Sequence, residues 1–170
     1  MWVFDATPLI YLAKVDQLEI VSALDGTCYI PDRVYAEVVT TGLEEGYPDA
    51  RRIEQRVDAG VLEVVSTPDS PLWDRLQHNP RLSDADGAVL ACADQFDATA
   101  VMDEAAGRTA AAVEDIETKG TAYLVLSCTK NGHLPVAEAR ETIDAMIEAG
   151  WHCAPDLYAK IVKKLDSFDN

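Results

Sequence analysis

Cations are scarce in this chain. Of 170 residues only 14 are Lys or Arg, against 30 Asp or Glu, so the formal charge is −16. That shortage excludes the broad basic face through which many nucleic-acid binders gain affinity by releasing counterions. Any polyanion handled here has to be met by local contacts. Such a surface suits molar salt, where the Debye length falls to ~3 Å and exposed carboxylates are screened from one another. The surplus of Asp over Glu and of Arg over Lys fits a halophile's cytosol. The rival explanation is an acidic protein that simply avoids nucleic acid. Cysteine is also sparse: Cys28, Cys92, Cys128 and Cys153 show no C-x-x-C and no paired Cys/His spacing. A zinc site built on them is excluded, and small buried thiols are expected. No apolar run reaches the ~18 residues of a membrane span, and Met1–Asp5 lacks a basic leader region, so a reducing cytoplasm and no membrane partner are expected.

What is present is the alternation of an α/β protein. The length fits a single domain over 1–170, large enough to bury roughly 70% of its unfolded surface. Trp2-Val3-Phe4 reads as a short buried strand, and Thr7-Pro8 as a helix start with Thr7 as N-cap, leading to a helix to about Lys14. A second helical stretch spans Leu18 to Leu24, followed by a strand at 27–30 and a helix opened by Pro31-Asp32 that carries Glu37. A helix over 49–59 closes at Gly60, and a strand covers 61–65. The proline-rich stretch 66–82 reads as a loop with one helical turn near Trp73. Ser83 caps a helix to about Gln95, strand 99–102 leads to a helix over 104–113, and a short strand lies near 115–118. From Thr121 onward everything is helical: to about Lys130, from Pro135 to Ala149, and from Pro155 to Leu165, with 166–170 fraying. Strands and helices alternating at these lengths imply a three-layer α/β architecture with a central parallel sheet flanked by helices, residues 121–170 forming a helical carboxyl part.

Four acids stand where such a sheet would gather them. Asp5 and Asp103 end strands, Glu37 lies at the margin of an apolar helix face, and Asp86 shares a face with Leu82, Val89, Leu90 and Ala93. In open α/β sheets the crevice beyond the strand carboxyl ends is where ligands bind. Carboxylates converging there repel unless protons or hard cations such as Mg²⁺ or Mn²⁺ neutralise them, which points to a divalent-metal nuclease. Each acid also has a plain structural role open to it. Asp5 assists a helix cap, Glu37 is solvated, Asp86 completes a capping box with Ser83, and Asp103 caps the next helix. Asp84 competes with Asp86 as ligand, and Glu104 reads as a first-turn surface acid. Around them, Thr7 can orient Asp5. Arg33, Arg108 and Lys119, with the helix start at Gly120-Thr121, can contact phosphate.

With these motifs in view, the chain resembles the PIN-domain nucleases, particularly VapC-like toxin relatives with a helical carboxyl extension. Val3-Phe4-Asp5-Ala6-Thr7-Pro8, Ile30-Pro31 through Glu37-Val38, Leu82-Ser83-Asp84-Ala85-Asp86-Gly87 and Met102-Asp103-Glu104 with Gly107-Arg108 are similar to its four ordered motifs. The resemblance places metal-ligating, catalytic acids at Asp5, Glu37, Asp86 and Asp103. It implies Mg²⁺- or Mn²⁺-dependent hydrolysis of RNA, a toxin role with an antitoxin partner, and a homodimer. The alternatives from other classes are a non-catalytic, protein-binding or regulatory module on the same fold, and an RNA-maturation nuclease without an antitoxin. A phosphatase with an aspartate nucleophile is also considered, but Thr7 stands where such enzymes usually carry a second Asp.

Overall fold

The computed structural model describes residues 1–169. Five strands, β1 (Trp2–Phe4), β2 (Cys28–Pro31), β3 (Glu63–Val65), β4 (Thr99–Val101) and β5 (Thr118–Lys119), form one sheet in the order β3-β2-β1-β4-β5. Every pairing is parallel, with Val3 opposite Tyr29 on one side and Ala100 on the other. The chain builds outward from β1 to β3, then returns to the opposite side of β1 for β4 and β5. The strand order therefore reverses between β1 and β4, which opens a crevice at their carboxyl ends.

Helices α1 (Ala6–Lys14) and α2 (Glu19–Ser22) follow β1. After β2 come α3 (Asp32–Tyr35), a π-helical segment (Ala36–Thr41) and α4 (Gly42–Glu44), then α5 (Pro48–Asp58). Helix α6 (Pro71–Gln77) precedes α7 (Asp84–Phe96), which packs against β1, β2 and β4. Helix α8 (Ala105–Val113) lies between β4 and β5, and α9 (Thr121–Lys130), α10 (Val136–Glu148) and α11 (Pro155–Phe168) end the chain. The last three pack on one another, α9 also meeting α2 and α10 meeting α1. This is the three-layer arrangement expected, with Phe4, Leu9, Ile30, Leu90, Met102 and Leu124 fully buried at its centre.

Several local expectations are corrected. Helix α1 begins at Ala6 with Asp5 as N-cap, not at Pro8 with Thr7. Proline is tolerated in the first turn because amides there have no partner within the helix, so Pro8 does not mark the start. The stretch 66–82 holds a two-turn helix, α6: Ser70 caps it by accepting from the Trp73 amide (3.2 Å), and Pro71 occupies a favourable first position. Trp73 packs with Ala88 and Ala91, and a Cβ on Gly87 would meet its ring at 3.2 Å. The last helix runs to Phe168, beyond the expected fraying point, and Asn170 lies outside the described residues. Cys28, Cys92 and Cys128 are buried and Cys153 is half-buried. Burial pushes the Cys28 thiol to about 11 and Cys92 to about 12, so both stay protonated and inert.

Candidate active site

Asp5 leaves β1 with its amide still donating to Val101 of β4 (2.9 Å), while Oδ1 accepts from the Ala6 amide (2.8 Å). It is 3% exposed and Asp86 is 8% exposed. Burial of two carboxyls at one place leaves the anion poorly solvated. The Asp5 carboxyl is accordingly raised from 3.8 to about 8, first by desolvation, then by the charge of Asp86 and its closeness, and by Glu104; the Ala6 amide works against the rise. Among the described residues no Lys or Arg forms an ion pair with either acid. A proton therefore occupies this pair at neutral pH when nothing else neutralises it.

Asp86 also completes the capping box of α7. The Ser83 amide donates to its Oδ2 and its own amide donates to Ser83 Oγ, each at 3.1 Å. The shorter Asp side chain closes the box without displacing the carboxyl from Asp5, so cap and cluster coexist. Asp84 is exposed and faces Arg33 (3.9 Å), which leaves Asp86 as the acid beside Asp5. Glu37 sits in the π-helical segment, exposed overall. Its carboxyl is raised by partial desolvation, then by Asp86 and Glu104. Such segments insert one residue into a helix and recur at functional sites.

At the β4 end Asp103 does not cap the next helix: Glu104 is the N-cap of α8, and its side chain makes no capping bond. Asp103 is held by three donors: the Thr121 amide on Oδ1 (2.8 Å), and Thr121 Oγ1 (2.7 Å) and Trp151 Nε1 (3.1 Å) on Oδ2. It latches β4 to α9 and to the α10–α11 connection. Its neighbour Glu104 adds a smaller repulsive charge at both Asp5 and Glu37, after burial and Asp86. Glu104 itself is exposed, as expected of a surface acid at a helix start.

Thr121 is fully buried and both its donors serve Asp103, so it offers nothing to a phosphate. A Cβ on Gly120 would lie 2.9 Å from Asp103 Oδ1, which is why glycine precedes that contact. Thr7 is half-buried beside Asp5, whose side-chain bond comes from Ala6 instead. Arg108 donates to the Met102 carbonyl (3.3 Å) and remains exposed. Lys119 lies 3.6 Å from Glu117 and over the Tyr123 ring. Arg33 lies over the Trp73 ring, 4.9 Å from its centroid.

Among the described residues no three His, Cys, Asp or Glu side chains converge closely enough to form a complete protein cage for a metal ion. The donors fit a hydrated hard cation instead: a buried carboxyl pair short of positive charge, with two further carboxyls in electrostatic reach. Mg²⁺ retains several waters and commonly takes only one or two carboxylates.

A parallel α/β sheet with acids gathered beside its switch point defines the class: a protein whose crevice is built around clustered carboxylates. The chain belongs to the PIN-domain family, a nuclease fold, since the family model described as DUF3368, PIN domain, matches residues 1–167. PIN nucleases generally use divalent metals. No curated protein matches the chain.

Proposed function

We propose that the protein is a Mg²⁺- or Mn²⁺-dependent endoribonuclease. The observation that carries this reading is the buried Asp5–Asp86 pair, which lacks a cationic side chain and holds a proton at neutral pH. In this reading Asp5, once deprotonated, and Asp86 would hold the ion, with Glu37, Asp103 and Glu104 as the further acids at the crevice. A divalent ion bound there would lower the pKa of a water and neutralise charge on the scissile phosphate. Glu37, whose proton affinity is raised, would take the proton of the attacking water as its oxygen bonds to phosphorus, the bond from phosphorus to the ribose oxygen breaking and that oxygen taking a proton from solvent. Arg33, steadied by the Trp73 face and no part of a buried pair, is placed to meet a phosphate. Asp103, fixed by Thr121 and Trp151 at the end of β4, completes the proposed set of four acids with Asp5, Glu37 and Asp86.

The test is Asp5→Asn against wild type on transfer, ribosomal and messenger RNA in high salt with Mn²⁺. Cleavage is expected to fall by ~10²-fold or more, and chelator is expected to abolish the wild-type activity. A wild-type rate in the Asn variant would discard the site. Within this reading, the resemblance of the four acidic sequence motifs to those of VapC-like toxins extends the proposal to a cytoplasmic, homodimeric toxin held by an antitoxin. Growth arrest on expression, relieved by co-expressing a neighbouring reading frame, tests that role; arrest that no neighbour relieves favours an RNA-maturation nuclease.

A further inference from the structure

A large cleft lies next to the acidic crevice. It encloses about 640 Å³ between α9, α11 and the Trp151 connection, a size typical of sites that enclose a small organic ligand. Tyr123 and Leu126 from α9 and Leu157 and Ile161 from α11 supply apolar wall. Tyr123, whose ring also carries Lys119, and Leu157 are each 39% exposed, so part of the apolar wall is open to solvent. Positions 157, 160, 161 and 164 fall on one face of α11, which brings Lys160 and Lys164 to the cleft beside that wall. Arg108 reaches it from α8.

Three of the chain's 14 Lys and Arg residues thus border one apolar cleft in a molecule of charge −16. The only carboxylate lining it, Asp103, already has three donors. None of Lys160, Lys164 and Arg108 forms an ion pair among the described residues. Asp103 forms part of the wall while the adjacent Glu104 acts on Asp5, so cleft and acids meet at the end of β4.

We propose that this cleft is an RNA subsite. It takes a nucleotide flanking the scissile bond, with the base against Tyr123, Leu126, Leu157 and Ile161 and the backbone phosphate met by Arg108, Lys160 and Lys164. An unpaired base presents the flat face that such a wall accepts, and phosphate the charge that the three cations lack. The proposal rests on the nuclease reading for the identity of the strand.

The experiment measures fluorescence anisotropy of a short labelled single-stranded RNA, with chelator present so that nothing is cut, across a KCl series. The proteins are wild type, Lys160→Gln/Lys164→Gln and Leu157→Asp, with circular dichroism melts confirming that each is folded. The double variant is expected to bind ~10-fold more weakly, with a slope of log K against log salt shallower by about 1.4, at ~0.7 per phosphate contact. Leu157→Asp is expected to weaken binding as well. Wild-type affinity and slope in the double variant would overturn the subsite, as would a polyglutamate peptide that binds more tightly than RNA, which would reassign the cleft to an acidic protein partner. Cleavage lost in Asp5→Asn but unchanged RNA binding in the cleft variants removes the subsite and leaves the nuclease. RNA binding lost in the cleft variants of a protein that cuts no RNA keeps the subsite and removes the nuclease.

Discussion

Asp5 concentrates the chemistry of this molecule in one carboxyl. It ends a strand, caps a helix and shares a buried position with Asp86, and its elevated proton affinity follows from the last of these. The folded chain keeps a proton there that the unfolded chain releases near 3.8, so between about 4 and 8 the native state binds more protons. The stability this adds is complete below the unfolded value and is lost as pH rises through the folded one. In chelator, Asp5→Asn is therefore expected to match wild type near pH 4 and to become progressively the more stable, by at most ~1.4 kcal/mol per pH unit up to about 8. Asn retains the cap to the Ala6 amide. Denaturant midpoints across that range check it, and parallel curves for the two proteins would mean that Asp5 is not held protonated. Thr121 offers a second residue-scale test. Thr121→Val keeps the shape but removes the hydroxyl 2.7 Å from Asp103, which should cost ~1.5–3 kcal/mol in urea unfolding, as for hydrogen bonds to charged groups. A loss below ~0.5 kcal/mol would mean that the Thr121 amide and Trp151 hold the latch alone.

Individual elements show where local preference and packing disagree. Helix-closing signals at Gly60 and Gly150 are legible because glycine takes the left-handed conformation freely, and both have positive φ (80° and 110°). Asp16, Asp97 and Asp115, after α1, α7 and α8, adopt the same conformation at φ of 56°, 50° and 56°. Nothing in an aspartate-rich sequence marks those three among the rest. Gly42 gives the sharper case. Its φ of −62° is ordinary for a helix, and propensity alone predicts that alanine there would stabilise by up to ~1 kcal/mol. An added Cβ, however, would fall 2.6 Å from the Ala50 Cβ of α5. Overpacking of this kind costs ~1–3 kcal/mol, so Gly42→Ala is expected to lower the melting temperature. An unchanged or higher melting temperature would show that α4 and α5 can separate without cost. The π-helical segment before it is equally silent in sequence, since Ala36-Glu37-Val38-Val39-Thr40-Thr41 has the composition of an ordinary helix.

Charge is the property of the molecule as a whole. At −16 the surface repels itself, and the four ion pairs among the described residues do little to offset this, each involving at least one well-exposed partner. Raising KCl from about 0.1 to 1 M shortens the Debye length from ~10 to ~3 Å. The thermal midpoint is expected to climb over that interval, and a flat midpoint would argue against a surface adapted to salt. No helix among the described residues is long and apolar enough to cross a membrane.

Periodicity and the order of apolar runs were enough to determine the α/β alternation, the parallel sheet and the segments that carry the acids, because both rest on local spacing. The places of Asp5, Glu37, Asp86 and Asp103 in the fold were legible for the same reason: each stands at an element end or margin that the pattern marks. Tertiary structure alone decided which acids share a field. Asp5 is buried beside Asp86, from a distant helix, and Asp103 is tied to Thr121 and Trp151, 18 and 48 residues away. It also decided that a cleft between α9 and α11 would collect three of the chain's few cations. Both outcomes depend on contacts between distant segments, whose geometry is set by how the layers pack and leaves no periodic trace along the chain.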